Sequence, residues 1–217
     1  MAHAGTAGVN GQGEAGRATR RTTRKESRRQ LILEAAAEEF AESGYEGATL
    51  DRIGERVGLS KASLYYYVSG KEQLFAEIVA QFVDGVAESV TPLLRDSDPI
   101  GALRELVRGH LSAVEGPIGR ALSANLHVLR RPGPKVEADR YEQLVADIIQ
   151  QGMDTQRIRI VPIRPAVKLF IGAMNGVSQW FRPDGKLPLD DVVTGVVGVL
   201  LGGVELHAPL RGGPSVP

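Results

Sequence analysis

The sequence predicts an all-α protein: a small three-helix head at the amino end, followed by a larger helical body. Three observations carry this. Apolar residues recur at three- and four-residue spacing through most of the chain. Pro and Gly fall between those runs as breakers. No period-2 stretch is long enough for a sheet, because RIRIVPI at 157–163 alternates but holds a Pro and stands alone. A chain of 217 residues, 42% of them apolar, suffices for one or two domains with a real core. The expected boundaries are 1–22 for a disordered basic arm, 23–78 for the head, 79–210 for the body and 211–217 for a tail.

Composition narrows the function classes. Formal net charge is zero, so bulk charge selects no partner. The absence of Cys excludes disulfides, a thiolate nucleophile and thiolate-bound metal, and fits a reducing cytoplasm. No secretory signal is legible at the amino end, and the run Val192–Val204 is too short to span a bilayer. A soluble cytoplasmic protein without a membrane partner is therefore expected. His3, His110, His127 and His207 lack metal-ligand spacing, and Asp190-Asp191 lacks a further carboxylate. No metal, no cofactor and no catalytic residue are expected; an all-α small-molecule enzyme stays as an alternative.

The elements follow in order. GQGEAG at 11–16 matches a dinucleotide fingerprint by letters only, since no strand precedes it. Arg17, Arg20, Arg21, Arg24, Lys25, Arg28 and Arg29 then face only Glu14 and Glu26. This is either a solubilising tail or an arm that tracks phosphates, with Arg24 and Arg28 as contacts. Thr23 and Glu26 suit a capping box for the first helix. Ile32, Leu33, Ala36, Ala37 and Phe40 form its buried stripe, and Gly44 stops it. Thr49 caps a short second helix with Leu50, Ile53 and Val57 inward, ended by Gly58. Ser60 caps a third through Val68, with Leu59 stapled onto Leu64. Lys71 opens a long fourth helix to about Leu94.

Two short helices crossing at the small Gly54 describe a helix-turn-helix, whose second helix enters a DNA major groove. That explains the three tyrosines in LSKASLYYYVSGKE at 59–72. Leu64 and Val68 face inward, which leaves Lys61, Ala62, Ser63 and Tyr65 toward base edges. Tyr66 and Tyr67 flank them within reach of phosphates. One tyrosine is expected to be partly packed and two exposed. Lys71, at a helix start, is expected to favour a phosphate.

The stretch LILEAAAEEFAESGYEGATLDRIGERVGLSKASLYYYVSGKEQLF resembles the tetracycline-repressor (TetR) family of bacterial transcription regulators. The resemblance rests on Phe40, Gly44-Tyr45, the Thr49 cap, Gly58-Leu59-Ser60, Leu64-Tyr65, Lys71-Glu72 and Leu74. It implies base reading by Lys61, Ala62, Ser63 and Tyr65, and phosphate contact by Thr49, Tyr66, Tyr67 and Lys71. Ala62 stands where that family often has Gly, and Val68 where Phe is common. Residues 1–78 hold 11 basic and 11 acidic residues, so Glu34, Glu38, Glu39 and Glu42 are expected to face away from DNA.

The body reads as helices near Pro99–Gly116, Pro117–Arg130, Pro134–Gly152, Arg164–Phe181 and Pro188–Leu206. The last is apolar nearly all round and rich in Gly, so it needs covering surface that a two-fold partner supplies. Gly172, Gly176, Val192, Gly195, Val199 and Gly202 are the expected homodimer contacts. QWFRPDG at 179–185 with the helix after it resembles TetR-type repressors of steroid and fatty-acid breakdown, which respond to acyl-CoA thioesters. An effector pocket among the middle helices is expected to use Leu106, His110, Leu111, Asn125, Leu126, Leu144, Ile148, Phe170, Met174, Asn175 and Trp180. Arg130, Arg131 and Lys135 are the expected cations for a CoA phosphate. The resulting expectation is a dimeric repressor on a palindromic double-stranded DNA operator, released by a small apolar or acyl-CoA effector. The alternative is a DNA-binding dimer whose carboxy-terminal half is only structural.

Overall fold

The computed structural model describes the backbone of residues 11–202 and the side chains of 25–202. The described chain is helical throughout and contains no strand. Its head comprises α1 (Gly11–Gly47), α2 (Leu50–Arg56) and α3 (Lys61–Leu64). α4 (Lys71–Arg95) runs from the head into the body. The body adds α5 (Pro99–Ala113), α6 (Pro117–Ala124), a 3-10 turn (Leu126–Arg130), α7 (Pro132–Asp154), α8 (Ile163–Trp180) and α9 (Leu189–Gly202). The first ten residues, the helix end expected at Leu206 and the tail at 211–217 lie outside the described residues.

Two boundaries differ from expectation. α1 begins at Gly11, so residues 11–22 continue a helix rather than form a disordered arm, and Thr23 lies inside that helix instead of at its start. Ala15, Arg17, Ala18, Arg20 and Arg21 are good helix formers, and extension from an existing turn avoids the cost of a new nucleus. The reading helix is also shorter than Ser60–Val68. After Leu64 the chain closes a turn through Tyr67 N–H to Leu64 O at 2.9 Å and Val68 N–H to the same oxygen at 3.1 Å.

The breakers act as their chemistry demands. Gly44 (φ 68°, ψ 163°) breaks α1 in a left-handed conformation that other residues avoid. Thr49 Oγ1 accepts from Arg52 N–H at 3.3 Å, and Ser60 Oγ from Ser63 N–H at 3.2 Å, so both predicted N-caps are made. A Cβ at Gly54 would lie 2.6 Å from the Leu59 carbonyl oxygen, which is the close crossing of the helix-turn-helix.

One continuous buried cluster joins head and body. Ile32, Ala36, Ala37 and Phe40 of α1 are fully buried, as their spacing predicts. Phe40 stacks on Tyr45 with ring centroids 5.5 Å apart, and Phe75 of α4 meets both edge-on. α1 lies along α6, while α4 packs between α5 and α7. The acidic face of α1 turns onto α2: buried Glu39 pairs with Arg52 and Arg56, and Arg56 also holds Glu38 and Glu42. Those carboxylates are neutralised within the head, as a DNA-facing surface requires.

Candidate nucleic-acid interface and ligand cavity

The outer surface of the head is the turn of α3. Lys61, Ala62 and Ser63 are exposed on its first residues, and Thr49 is exposed at the start of α2. Tyr65 and Tyr66 are 52% and 72% exposed, whereas Tyr67 is partly buried against the core. The division of the three tyrosines is the expected one, because inward Leu64 and Val68 fix the phase. Lys25 sits 5.4 Å from the centre of the Tyr66 ring, so a basic residue of α1 borders the tyrosine surface. Lys61 Nζ donates to Asp51 Oδ2 at 2.7 Å, and that carboxylate raises the Lys61 pKa.

Three cations sit differently from expectation. Lys71 donates to the carbonyls of Tyr45 (2.8 Å), Glu46 (3.3 Å) and Ala48 (3.4 Å) and lies over the Tyr45 ring. It satisfies carbonyls left open where α1 ends, and is not a free charge at a helix start. Arg28 donates to Val57 O at 2.8 Å and fastens α1 to the turn after α2. Arg29 pairs with Glu77 and donates to Tyr67 O, which anchors the tyrosine turn from behind. The Arg24 side chain lies outside the described residues.

Beneath the head, α4–α8 and the 3-10 turn enclose a cavity of about 640 Å³. Its walls include Val79, Phe82, Val83, Leu122, Leu126 and Ile171. Its neutral polar groups are Ser123, His110, Tyr141, Asn175 and Ser178. His110 Nδ1 meets Tyr141 Oη at 3.0 Å, and Tyr141 also reaches Met174 Sδ at 3.9 Å. Burial lowers the His110 pKa to about 4 and raises that of Tyr141, so both are neutral near pH 7. Charged groups collect at the rim: Lys135 pairs with Asp139, Lys168 pairs with Glu142, and Arg130 has no ion pair among the described residues.

Of the expected pocket residues, His110, Leu126 and Asn175 line this cavity. Leu106, Leu111, Ile148, Phe170 and Met174 are buried core outside its lining, and Leu144 is partly buried in the same packing. An apolar stripe shows which face is covered, not whether a side chain or a void covers it. Asn125 faces the other way and bonds to α1, not to the cavity. Arg131 leaves the rim to pair with Glu46 and lie 4.5 Å from the Tyr45 ring centre. Trp180 is 53% exposed and borders a separate apolar groove between α8 and α9.

That groove includes Ala173, Gly195, Val196 and Val199, with Val199 75% exposed. A Cβ at Gly172, Gly176, Gly195 or Gly202 would meet nothing within 4 Å, so these glycines face open space, Gly172 at the cavity itself. Val192 is only 7% exposed, yet it lines the floor of this groove.

Comparison with known proteins fits this geometry. The family model described as bacterial regulatory proteins, tetR family, matches residues 32–78, and the tetracyclin repressor-like C-terminal domain matches 96–204. The chain belongs to the TetR family. It is a DNA-binding transcriptional regulator, and its α2–turn–α3 unit is the family's helix-turn-helix. The HTH-type transcriptional activator FasR of Mycolicibacterium smegmatis is 30% identical over 198 residues, 88% of each chain. The HTH-type transcriptional repressor KstR2 of Mycobacterium tuberculosis is 27% identical over 82% of this chain and 93% of that one. The crystal structure of AibR in complex with isovaleryl coenzyme A and operator DNA superposes with a TM-score of 0.67. It is 26% identical, covering 80% of this chain and 98% of that one. These relatives are regulators, not enzymes. Among the described residues no helix is long and apolar enough to cross a membrane.

Sequence reasoning missed part of this TetR-family site. Tyr141, Phe82 and Ser123 line the cavity, yet each reads as an ordinary helical position until the helices are assembled. Only Tyr141 gave a signal, as an aromatic with a polar tip on an otherwise apolar face.

Proposed function

We propose that this regulator is a cytoplasmic repressor that binds a palindromic operator as a homodimer and is released by an amphipathic effector of the acyl-CoA type. The cavity carries the reading. Its inner walls are apolar with neutral hydrogen-bonding groups, and its charges lie at the rim. A ligand with an apolar or uncharged buried end and an anionic outer end matches that polarity. AibR, which binds isovaleryl coenzyme A and operator DNA, supports the class by its overall likeness. Arg130, Lys135 and Lys168 would meet the anionic end.

Base reading is assigned to Lys61, Ala62, Ser63 and Tyr65, and phosphate contact to Thr49 and Tyr66. Lys61 would exchange Asp51 for a base edge or phosphate on binding, since an exposed ion pair contributes little. The α8–α9 groove would meet its two-fold copy, so that two heads span adjacent major-groove turns. Repression needs the fewest parts: a dimer seated on a promoter blocks it, whereas activation needs a further surface for polymerase.

Effector control requires only that the ligand favour one head arrangement over another, typically by about 1–3 kcal/mol of coupling. The experiment is a thermal-shift titration with isovaleryl-CoA, longer acyl-CoAs and free coenzyme A, paired with a DNA mobility shift. We expect stabilisation by at least one acyl-CoA and release of DNA at the same concentrations. Charge removal at Arg130, Lys135 and Lys168 together should weaken that response; undiminished acyl-CoA affinity would remove the assignment. DNA binding insensitive to every thioester would favour a body that is only structural.

A further inference from the structure

We infer that Asn125 is a positioning residue: a side chain of the body that completes the broken end of α1 and thereby sets the pose of the DNA-reading head. Gly44 interrupts α1 with φ 68°, so the helix ladder is lost there. The Tyr45 N–H after the break is then turned away from its ordinary helical partner, the Ala41 carbonyl. Asn125 replaces that partner and also bonds to the Phe40 carbonyl before the break. Its Oδ1 accepts from Tyr45 N–H at 2.6 Å, and its Nδ2 donates to Phe40 O at 2.9 Å. The second amide hydrogen goes to Ala121 O at 2.8 Å in α6, which holds the side chain in place.

The amide fits one way only. Turned over, it would set its NH₂ against an N–H and its oxygen against two carbonyls. Asn125 is 1% exposed, so no water replaces a lost partner. A buried polar group left unpaired is costly, which makes this joint selective for one backbone geometry. The residues that follow the break, from Tyr45 to Thr49, lead directly into α2 and the reading turn. Tyr45 is further held from the body side by Arg131, which lies over its ring and pairs with Glu46.

The position of Asn125 gives this joint a second consequence, which rests on the effector reading above. Leu122, Ser123 and Leu126, on either side of Asn125 in the chain, line the cavity. A ligand that displaces this wall therefore displaces the cap of α1, about 80 residues away in sequence, without involving the DNA surface.

The test needs no effector. The chain contains no Cys, so cysteines introduced at exposed Glu55 in the head and Arg104 in the body take spin labels cleanly. The head–body distance distribution is measured by double electron–electron resonance, with labelled chains diluted in unlabelled ones to suppress inter-subunit signal. In the Asn125 parent we expect one narrow distribution. In Asn125→Leu and Asn125→Ser we expect it to broaden, with at least tenfold weaker binding to DNA sites selected by the parent. Binding to unselected DNA should keep its salt dependence, and far-UV circular dichroism its helix content. Should Asn125→Leu not fold, Asn125→Ser carries the test. An unchanged distribution with affinity within twofold of the parent, even beside a lower Tm, would reduce Asn125 to a purely structural residue and overturn the inference.

Discussion

Lys71 shows how a single residue changes meaning once its partners are known. In the sequence it stands at a helix start, where a cation favours a phosphate. In the fold its ammonium is taken by three carbonyls near the end of α1. We predict that Lys71→Ala lowers stability by about 2 kcal/mol, the scale of hydrogen bonds to a charged group, and leaves the salt dependence of DNA binding unchanged. Chemical denaturation and salt titration check both. A salt slope flatter by about one with unaltered stability would return Lys71 to a phosphate. His110 makes a second prediction. Its folded pKa, about 4 against an ordinary 6.5, favours the neutral form, so its contribution is complete above pH 6.5 and is lost as pH falls toward 4. The loss is on the order of 3 kcal/mol. His110→Phe should flatten the decline in Tm between those pH values; an identical decline in the variant would show that other groups cause it.

At the scale of elements, the head was legible because its signals are local. Thr49, Ser60, Gly44, Gly54 and Gly58 each act within a few residues, and each acts as its chemistry predicts. Gly54→Ala should cost about 1–3 kcal/mol, because a rigid carbonyl lies where the methyl must go. DNA binding should fall with it as the α2–α3 crossing opens. A fully stable, DNA-binding Gly54→Ala would deny that this crossing fixes the reading turn. The body was legible only in outline. Pro and Gly placed its helices to within a few residues, yet Leu106 and Leu126 look alike in sequence and end in core and cavity wall. Asn125 and Arg131 were read toward a ligand because their true partners in the head lie some 80 residues away, beyond any local pattern.

For the whole molecule, the decisive feature is the uncovered face of α8 and α9. Val199, 75% exposed on a nearly all-apolar helix, is a poor residue to leave in water. We predict that Val199→Glu keeps the helical fold, sediments as a monomer and loses at least a hundredfold in affinity for a two-half-site DNA. A dimer that survives this charge would place the two-fold contact elsewhere. The run of apolar and small residues in α9 made this uncovered face readable from sequence.

The central claim is that two copies of the tyrosine-bearing turn read adjacent major-groove faces of one duplex. It is tested most directly by selecting binding sites for the purified full-length protein from a random double-stranded DNA library, beside a Tyr65→Ala variant. The account predicts an enriched inverted repeat with half-site centres one helical turn apart, about 34–36 Å, and loss of its sequence preference in the variant. Enrichment of an isolated half-site, or of the same repeat by the variant, would contradict it.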